Sequence, residues 1–197
     1  MWSESISVIP QEDDVILVLL VQNGDIAAFE KLLRRLHGPM RKYVRGLAGE
    51  SNADDILQEV SWQIFQKIRN LREPKVFRAW AFRIATRISF HYLKRQKHWQ
   101  DLENNPEFIR SIPIHTVLRP NEVDADFLSL IEHVSPSSRA VLLLHYQQHL
   151  SLEETAAILD IPFGTAKSRL SYGVATVRKC LKEKEEHEQT QRKKFRG

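Results

Sequence analysis

Ser151 and Glu154, three residues apart at the head of an apolar run, constrain this chain more tightly than any other pair. A hydroxyl there accepts from the backbone of the first helical turn, and a carboxylate three residues on reaches back to the cap's own N–H, so a helix starts at a defined residue. Leu152, Ala156, Ile158 and Leu159 predict that helix to be short, and Asp160, Ile161 and Pro162 end it. Beyond the break, Ala166, Leu170, Val174, Val177 and Leu181 recur at spacings of three and four, while Thr165, Lys167, Ser168, Arg169 and Tyr172 fall largely off that stripe. Two short helices joined by a tight turn, the second carrying hydroxyls and cations near its N-terminus, can enter a DNA major groove. The hydroxyls and helix N-terminus hold phosphates, and Lys and Arg reach phosphates or guanine edges. Any small helical domain also contains such helix pairs, so the rest of the chain has to decide.

That remainder reads as helices throughout, an all-α chain. Asp13 and Asp14 start a helix over Val15–Gln22 that Asn23-Gly24 stops. Asp25 caps a second, whose Ile26, Phe29, Leu32, Leu33 and Leu36 form a stripe to Gly38-Pro39, with Met40, Tyr43, Val44 and Leu47 continuing it past an expected kink. A third is expected from Asn52, as cap, to Arg69. Ile56, Val60, Ile64 and Ile68 form its buried line, with Leu57 and Phe65 in support. Its first turns carry Asp54, Asp55 and Glu59. These acids complement the helix dipole, hold a metal, or dock on a basic partner; no His or Cys stands in that helix at ligand spacing, so no metal is expected.

Val76–Trp99 is the most unusual segment. Phe77, Trp80, Ala81, Ile84, Ile88 and then His91 or Tyr92 predict its core line. From Lys67 to Lys97 there are ten Lys or Arg against one acid, Glu73, and a helix so one-sided repels itself unless a polyanion neutralises it. Phe77, Trp80, Phe82, Phe90 and Tyr92 interleave with the cations, and those not needed for the core offer faces on which unpaired bases stack for about 1–3 kcal/mol each. Cations with aromatics point to single-stranded or partly melted nucleic acid more than to a membrane.

Pro106, Pro113 and Pro120 with Asn104-Asn105 mark a connector, which divides the chain into a helical domain 1–99, a linker 100–121, a second domain 122–182 and a charged tail 183–197. In the second domain a helix is expected over Val123–Val134, and Ser135-Pro136 opens one to Gln148 with Val141, Leu142 and Leu144 buried. No stretch approaches the roughly 20 apolar residues of a membrane helix, so membrane insertion is not expected and the expected compartment is the cytoplasm. Cys180 stands alone, which rules out an internal disulfide. No catalytic motif or glycine-rich phosphate loop can be assembled, and neither an enzymatic activity nor a cofactor is expected.

GDIAAFEKLL, ADDILQEVSWQIFQKI, FRAWAFRIATRISFHYLKRQ and SPSSRAVLLLHYQQHLSLEETAAILDIPFGTAKSRL resemble, in order, the successive regions of an extracytoplasmic-function sigma factor, a two-domain bacterial transcription initiation factor. The resemblance implies that Asp54, Asp55, Leu57, Gln58 and Glu59 bind RNA polymerase core. It implies that the loop with Arg69, Arg72 and Lys75 holds a flipped base, and that Arg78, Trp80, Arg83, Arg87, His91, Lys94, Arg95 and Lys97 belong to the helix that melts and reads the minus-ten element. Phe163, Thr165, Lys167, Ser168, Arg169 and Tyr172 fall on the recognition helix for the minus-thirty-five element. The implied partners are polymerase core and promoter DNA, with an anti-sigma factor as a further candidate. Arg87 and His91 stand where the family usually has Asn and Asp, and Ser171-Tyr172-Gly173 replaces further arginines. Three other readings remain: a stand-alone helix-turn-helix regulator, a metal-dependent nuclease using Asp54, Asp55 and Glu59, and a decoy for an anti-sigma factor that has lost promoter contacts.

Overall fold

Asp25 accepts a hydrogen bond from the Ala28 N–H at 3.0 Å and so starts the longest helix of the N-terminal half at the expected residue. The computed structural model describes residues 12–95 and 125–194, with side chains over 13–95 and 128–184, and every regular element there is helical. Four helices build the first unit: α1 (Glu12–Gln22), α2 (Ile26–Ala48), α3 (Glu50–Lys67) and α4 (Phe77–Arg95). α2 runs on through Pro39 as a single element. α3 begins two residues before the expected cap. Gly49, at φ 88°, turns the chain directly from α2 into α3, a backbone angle that an L-residue adopts only at a cost. Asn52 therefore lies inside the helix, its side chain donating to the Ala48 carbonyl at 2.8 Å.

Leu32, Leu36, Met40, Tyr43 and Leu47 of α2 interlock with Ile56, Val60 and Ile64 of α3 and with Phe77, Ala81, Phe82 and Ala85 of α4. Each large side chain here contributes about 1.5–3 kcal/mol of burial. Tyr43 is wholly enclosed. Its hydroxyl shares a 2.6 Å hydrogen bond with Thr86, its ring meets Phe82 edge-on, and burial pushes the phenol well above the ordinary tyrosine range. The buried line of α4 differs from the expected one. Phe77, Ala81, Phe82, Ala85, Thr86 and Ser89 face inward, while Trp80, Ile84, Ile88 and Tyr92 are half-buried and His91 is exposed. Contact with both α2 and α3 rotates the helix so that small residues, which let backbones approach, take the centre.

α1 is fastened by polar bonds as well as by Leu17, Val18 and Val21. The buried Asp14 accepts from Arg35 Nη1 at 3.1 Å and from Arg78 Nε at 2.8 Å, and Gln22 Nε2 donates to the carbonyls of Ile68 and Leu71 at 3.1 and 2.7 Å.

The second unit holds α5 (Ala125–Ile131), α6 (Pro136–Leu142), α7 (Leu152–Leu159) and α8 (Phe163–Lys194). Pro136 opens α6 as its first residue, but Ser135 makes no side-chain cap bond. The helix expected to reach Gln148 passes at Leu143–Gln147 into one π turn. Val141, Leu142 and Leu144 are fully buried as expected. The capping box is present in both directions. Glu154 N–H donates to Ser151 Oγ at 3.1 Å, and Ser151 N–H to Glu154 Oε2 at 2.8 Å. Asp160 closes α7 in the left-handed conformation, φ 57°, ψ 47°. Ala166, Val174 and Val177 form the buried stripe of α8, whose helix continues through the expected tail to Lys194. Gly173 has a packing reason: a Cβ there would stand 2.8 Å from Leu142 Cδ1. The expected linker, the start of the Val123–Val134 helix and Lys97 lie outside the described residues.

The two units share one buried core. Gly46 of α2 forms a notch that Leu143 and Leu128 fill, Arg139 donates to the Leu47 carbonyl at 3.3 Å, and Gln148 Nε2 donates to the Pro39 carbonyl at 3.3 Å.

Candidate nucleic-acid interface

α4 presents its cations in rows because side chains four apart stack along one helix face. Arg83, Arg87, His91 and Arg95 form one such row, and Ile84, Ile88 and Tyr92 form the row beside it. The flanking groove, about 430 Å³, is closed on its far side by Glu59, Gln63 and Lys67 of α3. Arg87 and His91, the two departures from the family pattern, sit in the middle of this row. Lys94 and Arg95 are exposed at the end of the helix.

The aromatics divide. Phe77 and Phe82 are core, whereas Trp80, Phe90 and Tyr92 are half-buried. Trp80 is packed against Phe77, ring centroids 6.1 Å apart. Arg69, Arg72 and Lys75 are exposed between α3 and α4, where Ile68–Asn70 and Pro74–Val76 each form a 3-10 turn. Arg78 sits apart from these, its guanidinium paired with the buried Asp14.

In the second unit the turn Asp160–Pro162 leads into α8. Phe163 and Lys167 are exposed there, and Thr165, Ser168, Arg169 and Tyr172 are half-buried. Ser168 Oγ donates to the Thr165 carbonyl at 3.0 Å, which holds the hydroxyl against its own helix.

The acids of α3 form a separate surface. Asp54, Asp55 and Gln58 are exposed, Glu59 is half-buried and accepts from Gln63 Nε2 at 3.0 Å, and Leu57 is buried. Leu57 lines a narrow apolar groove between α2 and α3 with Leu33, Leu36, Met40, Val60 and Ile64. Arg41 reaches Glu50 at 2.8 Å and Asp54 at 3.5 Å. Two aromatics join this surface that sequence reasoning did not place there. Trp62 is 54% exposed, and Phe65, expected in the core, is 47% exposed, their rings stacked at 6.1 Å. With Phe29, Asp55, Gln58 and Glu59 they line a groove of about 530 Å³. The signal was in the periodicity: positions 62 and 65 lie off the 56–60–64 line. Among the described residues no group of three or more His, Cys, Asp or Glu is placed to hold a metal ion, and no helix is long and apolar enough to cross a membrane.

A cationic, partly aromatic helix in one unit and a helix-turn-helix in the other define a two-unit DNA-binding protein. Sigma-70 region 2 matches residues 28–98, and sigma-70 region 4 matches residues 124–177. The chain belongs to the extracytoplasmic-function class of the sigma-70 family, which directs transcription initiation. It is 28% identical to the RNA polymerase sigma-H factor of Pseudomonas aeruginosa, across 87% of this chain and 95% of that one. It is 26% identical to the ECF RNA polymerase sigma-E factor of Escherichia coli, across 81% and 90%. Its fold matches that of CnrH in complex with the cytosolic domain of CnrY, with a TM-score of 0.65 at 20% identity over 87% and 98% of the two chains. It also matches RpoE in complex with the anti-sigma factor NepR from Bartonella quintana, at 0.60, 24%, 80% and 98%.

Proposed function

We propose that this sigma factor docks on polymerase core through the α3 surface of Asp54, Asp55, Leu57, Gln58 and Glu59, and melts the minus-ten element along α4. In this reading Arg69, Arg72 and Lys75 hold a flipped base, Arg83, Arg87, Lys94 and Arg95 neutralise the backbone, His91 contacts the strand from the same row, and Trp80 supplies a stacking face. α8 reads the minus-thirty-five element from Phe163, Thr165, Lys167, Ser168, Arg169 and Tyr172. Arg78 serves the fold through Asp14 and leaves the DNA set. The protein acts by binding, in the compartment that holds polymerase, and polymerase supplies the chemistry. The match to RpoE, solved in complex with the anti-sigma factor NepR, supports such a factor as a further partner.

The observation that carries this reading is the segregation of charge: exposed acids on α3, a row of arginines on α4 with His91 among them, and between the two helices a groove both line. A basic coiled segment of polymerase and a DNA strand can occupy neighbouring faces without competing. Run-off transcription with sigma-free bacterial core on a library of random upstream sequences tests it, beside co-elution with the core. The native chain is expected to co-elute and to give transcripts from a defined start. Asp55→Lys with Glu59→Lys is expected to lose co-elution while keeping its helical signal. Removing the Lys94 and Arg95 charges is expected to leave co-elution intact and abolish open-complex formation. Retained co-elution by the acid-to-lysine variant counts against the docking surface, and unimpaired melting by the second counts against α4.

A further inference from the structure

Gln22, the last residue of α1, is tied to a loop far along the chain. Its amide nitrogen carries two N–H donors and reaches two backbone carbonyls, that of Ile68 at 3.1 Å and that of Leu71 at 2.7 Å. Those carbonyls mark the two ends of one 3-10 turn. The Leu71 N–H itself donates to the Ile68 carbonyl at 3.1 Å, so Gln22 bridges the turn that this bond closes and takes the second lone pair of the Ile68 oxygen. Arg69 lies inside the turn and Arg72 follows it, both exposed. Past the loop, Arg78 donates from Nε to the buried Asp14 at 2.8 Å. Asp14 and Gln22 stand eight residues apart on α1, about 12 Å along its axis. The segment from Ile68 to Arg78 is therefore held by α1 at both ends, with Arg69, Arg72 and Lys75 exposed between them.

We infer that α1 is the splint of the base-holding loop and that Gln22 is a positioning residue for base capture. By fixing the turn from Ile68 to Leu71 it keeps Arg69 and Arg72 in the arrangement that receives the flipped base before any DNA arrives. This rests on the assignment of Arg69, Arg72 and Lys75 to that base.

The physical case has three parts. A lone 3-10 turn has poor hydrogen-bond geometry and holds its shape weakly. This one carries cations that repel each other, with only Glu73 to oppose them. Ordering such a loop at the moment of binding subtracts from affinity, and a tie made beforehand removes that loss. The tie is also local in its effect. Deleting the Gln22 amide leaves Leu17, Val18 and Val21 in the core and both arginine partners of Asp14 in place, so α1 stays docked. Ile68 is buried and stays where it is, so the freedom gained falls on the residues after it. Attraction and selection then separate: cations draw in any strand, whereas preferring one base at one position requires donors at fixed places.

The test uses the full chain, alone and bound to sigma-free core. Gln22→Met keeps length and bulk and deletes both donors. Arg72→Ala removes a loop cation and so marks which position of the strand the loop holds. The probe is a short single-stranded DNA library randomised at every position, selected on the holoenzyme and sequenced. Gln22→Met is expected to lower base preference about fivefold at the position that Arg72→Ala also flattens. Preference elsewhere and affinity for core should stay within about twofold of native. Without DNA, hydrogen exchange at the Leu71 amide should be about fivefold faster in Gln22→Met. Unchanged exchange at Leu71 overturns the splint. Faster exchange with unchanged base preference overturns its role in base capture. Preference lost evenly along the strand, or lost together with core affinity, also overturns that role, because it reports general damage to the unit. Should Arg72→Ala flatten no position, the assignment of the loop to a base fails, and the exchange measurement still reports separately whether α1 holds the loop.

Discussion

Asp14 is the smallest feature with the widest reach. Its carboxylate is 5% exposed and receives two guanidinium groups from different helices, Arg35 of α2 and Arg78 of α4, so one side chain fastens α1 to the rest of its unit. Replacing it with Ala leaves two partly buried cations facing a vacancy, and urea unfolding should show a loss of about 3 kcal/mol. Tyr43 gives a residue-scale prediction in pH. Burial is the main cause of its raised pKa and the Thr86 hydrogen bond opposes it, so the folded chain holds this proton where the unfolded chain releases it. Its contribution is fully present below the ordinary tyrosine value of about 10 and is lost as pH rises beyond it. Denaturant melts from pH 9 to 11 should fall more steeply for the native protein than for Tyr43→Phe, whose curve lacks that ionisation.

At the scale of elements, what the sequence disclosed was local. The Ser151–Glu154 box, the Asp25 cap and the 56–60–64 line all rest on neighbours within one or two turns, and each stands where expected. Asn52 misled because a good cap residue says nothing of whether an upstream glycine has already turned the chain. The face of α4 was read one position off, since its rotation is set by α2 and α3 together. The Asp14 partner of Arg78 and the Leu47 carbonyl that Arg139 reaches lie 64 and 92 residues away, beyond any spacing argument. Charge distribution on α4 was legible because it needs only counting, whereas the exposure of Trp62 and Phe65 depended on what the neighbouring helices leave uncovered. Gly173 looks like a helix weakness in the sequence and is a contact in the fold. Gly173→Ala gains about 1 kcal/mol of helix propensity. It also drives a methyl into Leu142, which is fully buried and cannot withdraw. Overpacking costs about 1–3 kcal/mol, so thermal denaturation of the variant should come several degrees earlier.

For the whole molecule, charge and shape answer different questions. Positive charge accumulates along α4 and leaves α3 acidic, so DNA association should weaken steeply with salt. Each phosphate contact removed should flatten the slope of log affinity against log salt by about 0.9. Removing Lys94 and Arg95 is therefore expected to reduce that slope by about 1.8 on a duplex probe and by about 1.4 on a single-stranded one, measured side by side. The Gly46 notch has a thermodynamic corollary. Side chains from both units contribute to one buried cluster, so heat should disrupt them together, in one transition whose calorimetric and van't Hoff enthalpies agree. Filling the notch with Gln should split that peak in two, each half then melting on its own account. A destabilising change in the second unit would in the native chain be felt in the first, and the molecule would survive or fail as one cooperative body.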